Sequence, residues 1–146
     1  MARPAGAGRR PQGVAMVSRE DLEGFVGRLE AEGAHAREIE PGLWVVTANG
    51  EGPEVVVHYA PPVVVLRVKV MALPKKMKKP ELYRHLLELN AKDLVHGSYG
   101  ISGNDIVLSD TLELENLDFN EFQASYESMT LALASHLATL APYREA

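Results

Sequence analysis

Leu66, Val68 and Val70 alternate with Arg67 and Lys69. A strand written this way has one dry face and one wet face, because successive side chains point to opposite sides. Sheets built from such strands are normally antiparallel, with helices stacked on the dry side. The segments upstream fit the same scheme. "AREIE" and "LWVVTA" are divided by Pro41-Gly42, a turn dipeptide. "NGEGP" follows, and its Asn49-Gly50 is a strong hairpin signal. "EVVVHYA" and "VVVLRVKVMAL" are divided by Pro61-Pro62. The pattern predicts four strands in a meander.

Helical periodicity appears on either side. Ser18 is placed to cap a first helix, with Asp21 at its third position and Leu22, Phe25, Val26 and Leu29 forming one apolar stripe. A second helix is expected from about Pro80, since proline suits a first turn. Two strands follow, "GSYGIS" and "IVLSDTLEL", joined through Gly103-Asn104-Asp105. Asp118 and Glu121 form a capping box for a last helix, whose stripe is Phe119, Phe122, Tyr126, Met129, Leu133, Leu137 and Leu140. Pro142 ends it. The expected fold is α+β, in the order α-β-β-β-β-α-β-β-α, an antiparallel sheet with helices packed mainly on one face. A single domain is expected over 18–142. Residues 1–17, rich in Ala, Gly, Pro and Arg, read as a disordered tail, with Met16 as an alternative start, and 143–146 as a short C-terminal tail.

Charge and composition exclude several classes of function. The chain has 146 residues, no cysteine and a formal net charge of -5. Disulfides and thiolate metal sites are therefore absent. The basic side chains concentrate in residues 67–92, while 93–143 hold eight acids and no Lys or Arg. An acidic chain with one short basic segment is a poor general binder of nucleic acid. No apolar run approaches the roughly 18 residues that a membrane helix needs. A cytoplasmic location is expected, without membrane or nucleic-acid partners.

The search for catalytic residues finds no constellation. His35, His58, His85, His96 and His136 include no pair at the spacing of a zinc hydrolase. "GSYGISG" has glycines but no following helix with lysine, so it is not a phosphate cradle. Asp110 interrupts the alternation of Ile106, Leu108, Leu112 and Leu114, and a bulge turning it outward is expected. "KKMKK" places Lys75, Lys76, Lys78 and Lys79 at the positive end of the second helix, a candidate anion contact set against the plain reading of a solvated loop. No metal or cofactor site and no enzymatic activity are expected.

The second helix holds the most informative face. At 100° per residue, Leu82, Tyr83, Leu86, Leu87 and Leu89 span an apolar arc about 160° wide, broader than the ~100° that docking onto one sheet requires. Either the helix is deeply sandwiched or part of the arc meets another subunit. These five residues form the candidate partner or dimer surface. Asn90 sits in the centre of the arc, where an unbonded amide is costly to bury. Its place near the helix end predicts a structural role, with the side chain largely buried and bonded to backbone between residues 91 and 99 or in the adjacent strand.

The leucine-rich helix ending in "LLELN", the strand "HGSYGIS", the strand "DIVLSDTLEL" and the "LDFNEF" opening of a long last helix together resemble the bacterial YbjN-type domain. That family shares the fold of the CesT-like type III secretion chaperones, and the resemblance runs from about Val17 to Leu140. It implies a non-enzymatic fold. Such chaperones are small acidic dimers that hold an extended segment of a client on apolar patches and sheet edges. YbjN-type proteins are described as regulators of sensory transduction. The resemblance further implies that Asn90, matching a helix-end asparagine of the family, is structural. The expected function is a homodimeric protein-binding module, chaperone-like or regulatory. The alternative is a small-molecule sensor with a pocket between sheet and helices, lined by Trp44, Tyr59 and Tyr99.

Overall fold

The structure, a computed structural model, describes residues 16–76 and 79–144. Helix α1 (Arg19–Ala31) starts where Ser18 and Asp21 cap each other: the Ser18 hydroxyl accepts from the Asp21 amide at 3.0 Å, and the Ser18 amide donates to the Asp21 carboxylate at 3.1 Å. Four strands follow, β1 (Ala34–Glu40), β2 (Leu43–Ala48), β3 (Val55–Ala60) and β4 (Val63–Ala72). Then come α2 (Lys79–Lys92), β5 (Ser98–Ser102), β6 (Asp105–Glu113) and α3 (Phe119–Leu140), ending in a 3₁₀ turn at Ala141–Tyr143. The element order matches the sequence-based expectation.

All pairings are antiparallel, in the spatial order β1-β2-β3-β4-β6-β5. The last hairpin therefore joins the meander through β6, leaving β1 and β5 as the two edges. Register fixes which side chains share a face. Trp44, Val57 and Leu66 lie in one cross-strand row, and Val46, Val55, Val68 and Leu108 in the next. Both rows are buried beneath the helices. Each fully buried side chain of this size contributes about 1.5–3 kcal/mol. Phe25 of α1 stacks against Phe119 and Phe122 of α3, with ring centroids 5.9 and 5.8 Å apart, and so locks the two helices together. The opposite parity, Leu43, Val45, Val56, Val63 and Val65, is half-buried and lies outside the core cluster.

Two boundaries and one orientation differ from expectation. Met16 bridges Glu115, and Val17 is buried with its amide donating to the Leu114 carbonyl at 3.0 Å, so these two residues belong to the domain. Residues 1–15, the rest of the expected tail, lie outside the described residues. At the other end, Tyr143 is buried against α2 and the Arg144 guanidinium donates to the Val70 carbonyl at 3.2 Å. Asp110 does not turn outward. It stands opposite Leu66 on the helix side, because the irregularity in this ladder falls between Lys69 and Met71 instead.

Candidate partner-binding surface

Asp110 brings a serine and a histidine to one carboxylate. Its carboxylate accepts from the buried Ser125 hydroxyl at 2.7 Å, and His96 stands 3.9 Å away on the same carboxylate oxygen. Serine, aspartate and histidine are thus neighbours in the wrong order for nucleophilic catalysis. The hydroxyl donates to the carboxylate directly, and the histidine stands on that carboxylate instead of on the hydroxyl. Among the described residues, no group of three or more His, Asp or Glu could hold a metal ion.

The polar groups that converge do so at the joint of α2, β5 and α3. The Asn90 side chain treats edge strand β5 as a neighbouring strand would. Its Nδ2 donates to the Tyr99 carbonyl at 3.1 Å, and its Oδ1 accepts from the Tyr99 amide at 2.7 Å. Asn90 is half-buried rather than largely buried. The Tyr99 side chain runs inward, where its hydroxyl meets His136 Nδ1 at 2.8 Å. His136 Nε2 in turn lies 3.5 Å from the Asp93 carboxylate at the end of α2. Burial pushes the Tyr99 phenol up to about 12. The chain enters β5 through Gly97 at φ +85°, where an added Cβ would approach the Ser109 carbonyl oxygen to 3.1 Å.

His136 also contributes to the floor of an open groove of about 570 Å³ on the outside of this joint, lined by Lys92, Asp93, Val95, Leu131, Ala132 and Ser135 among others. Val95 and Leu131 at its sides are 83% and 71% exposed, the two most exposed of the large apolar side chains described. The sequence reading did not select either. Leu131 falls off the apolar stripe of α3, and a large apolar residue off-stripe was the signal available.

The five residues expected to form the α2 surface separate. Leu82 and Leu86 are buried in the core, and Leu89 packs against it half-buried, as Tyr83 is half-buried. Only Leu87 is open, at 67%. The broad arc therefore reflects a sandwiched helix. Leu82 and Leu86 face the sheet side, while the C-terminal turn covers another flank, with the Tyr143 hydroxyl donating to Glu81 at 2.9 Å and lying 2.8 Å from His85 Nδ1. Of the lysines, Lys75 and Lys76 are exposed, Lys79 is the half-buried first residue of α2, and Lys78 lies outside the described residues. Trp44 and Tyr99 are packed in the core and Tyr59 rests against it. No described helix is long and apolar enough to cross a membrane.

Comparison with known proteins agrees with this architecture. A chain of the heterodimeric ExoU-SpcU complex from the type III secretion system of Pseudomonas aeruginosa superposes with a TM-score of 0.60 at 13% identity, covering 83% of this chain and 98% of that one. At that identity the likeness establishes the fold. No curated protein matches the chain. The CesT_Tir_1 family model matches residues 16–146, which takes in every described residue, and the chain therefore belongs to the CesT_Tir_1 family.

Proposed function

We propose that this chain is a non-enzymatic, chaperone-like protein that binds an extended segment of a partner protein and acts as a cytoplasmic homodimer. The observation that carries the reading is the open groove at the α2–β5–α3 joint of a chain in the CesT_Tir_1 family, whose otherwise largely polar lining carries the exposed apolar side chains Val95 and Leu131. Exposed large apolar side chains that flank a groove are a mark of protein–protein contact. Membership of a chaperone family supports the non-enzymatic part. Leu87, exposed on α2 away from the groove lining, supplies a separate contact for a second copy.

Co-expression of the full chain with the products of the adjacent open reading frames tests the proposal. The expected result is one product that co-purifies in fixed stoichiometry and is lost when Leu131→Glu opposes the groove. A folded chain that retains none of these products overturns it.

A further inference from the structure

Tyr126 is 5% exposed, and its hydroxyl is buried with no hydrogen-bond partner among the described residues. Buried phenols nearly always find a partner, so an orphaned one points to a group from outside the chain. Tyr126 lines an open pocket of about 250 Å³ at the C-terminal end of α1. Ala34 and Ala48 stand directly opposite each other on β1 and β2, and this pair of small side chains leaves the hollow. With Leu29 they form its apolar wall.

Charge decides what the pocket can take. Glu32 and Glu127 line it, and no Lys, Arg or His does so among the described residues. One Glu32 oxygen accepts from Gln123 Nε2 at 2.5 Å. The Glu127 carboxylate has neither an ion pair nor a hydrogen bond among the described residues. Burial, and after it the Glu127 carboxylate, push the Tyr126 phenol up, so the hydroxyl lies within the field of that charge. Asn49 brings a side-chain oxygen, 3.6 Å from where a Cβ on Gly33 would stand. The carbonyl end of α1 adds partial negative charge. Such a lining selects a cation. A metal ion fits poorly, because two carboxylates stand there without a third His, Asp or Glu among the described residues. An organic cation fits better, since the apolar wall can hold a methylene stem. A tetrahedral ammonium spreads three donors over acceptors from separate elements, whereas a planar guanidinium is matched to a single carboxylate.

We infer that this pocket binds an alkylammonium group, its stem against Leu29, Ala34 and Ala48 and its head among Glu32, Glu127 and the Tyr126 hydroxyl. The group comes either from a lysine side chain of a partner protein or from a free amine. The site stands apart from the Val95–Leu131 groove and does not depend on it.

The test is an NMR titration of the isotopically labelled full chain with n-butylammonium chloride at constant ionic strength, beside n-butanol, which keeps the stem without the charge. Saturable amide shifts are expected at residues 29–34, 48–49 and 126–127 with butylammonium only, at about millimolar concentration. Tyr126→Phe and Glu127→Gln are each expected to weaken binding about fivefold, with the unfolding midpoint retained. Equal shifts with butanol, shifts that do not saturate or that centre elsewhere, or unchanged affinity in either variant would overturn the inference. The source is read from a co-purifying partner. Weaker retention by Glu127→Gln assigns the ammonium to that partner's lysine, and unchanged retention beside saturable butylammonium binding assigns it to a free amine.

Discussion

Asn90 shows how one amide can substitute for a strand. Its side chain offers one donor and one acceptor in the plane of a peptide group, and it uses both on the outward-facing backbone of Tyr99. Removing it leaves those two groups without a partner beneath α2. Asn90→Ala is expected to destabilise the fold by about 1–3 kcal/mol, read from urea denaturation at unchanged slope. A loss close to zero would mean that water replaces the amide without cost. Tyr126 presents the reverse case. Its hydroxyl is buried with no partner among the described residues, so Tyr126→Phe removes an unmet polar group and is expected to be neutral or stabilising by up to about 1 kcal/mol. Tyr99 gives a pH signature. Its folded phenol titrates at about 12 because burial disfavours the phenolate, against about 10 unfolded. Below pH 10 both states hold the proton and the contribution is complete. Between pH 10 and 12 the unfolded chain gives up its proton first, so stability falls as pH rises through that window. Denaturation midpoints in alkaline buffers check this, and Tyr99→Phe is expected to flatten part of the slope.

At the scale of elements, the joint between α2 and β5 is where sequence patterning and three-dimensional packing part company. The apolar arc of α2 was legible, and so was the polar residue within it. What packs on the neighbouring flank was not, because Tyr143, which meets Glu81 and His85 there, lies more than fifty residues away in the chain, and helical periodicity carries no information about such contacts. Asp110 makes the same point for a strand. Alternation gave its side of β6, since it keeps the parity of Ile106 and Leu108. Chemical expectation then argued it outward, and the Ser125 hydroxyl that holds it inside sits on α3. The turn chemistry was better marked. Gly97 leads β5 at φ +85° with the Ser109 carbonyl oxygen and Met129 close by. Gly97→Ala is expected to cost about 1–3 kcal/mol from the left-handed backbone and the tight contact. Thermal unfolding checks this, and the same substitution at Gly100, where nothing lies within 4 Å, serves as the mild control.

For the whole molecule, the two-faced strand β4 determined the architecture. Leu66 and Val68 face the helices, and Arg67 and Lys69 face away. One layer of helices covers one face of the sheet and leaves the other open, so the molecule has apolar surface to spare. The fold was readable because it follows from local alternation, caps and turns. The proposed partner surface was only partly readable, because Val95 and Leu131 come to line one groove through packing rather than through spacing. A dimer through α2 is expected to depend on Leu87. Leu87→Glu should yield a monomer in sedimentation velocity with the fold intact, and a wild-type chain already monomeric at high concentration would remove that contact.

The most direct measurement is hydrogen–deuterium exchange on the full chain and its co-purifying protein, alone and together. Slowed exchange is expected along one contiguous segment of the partner and, on this chain, around the Val95–Leu131 groove. Scattered protection over an already folded partner, or no protection of this chain around that groove, would contradict the reading.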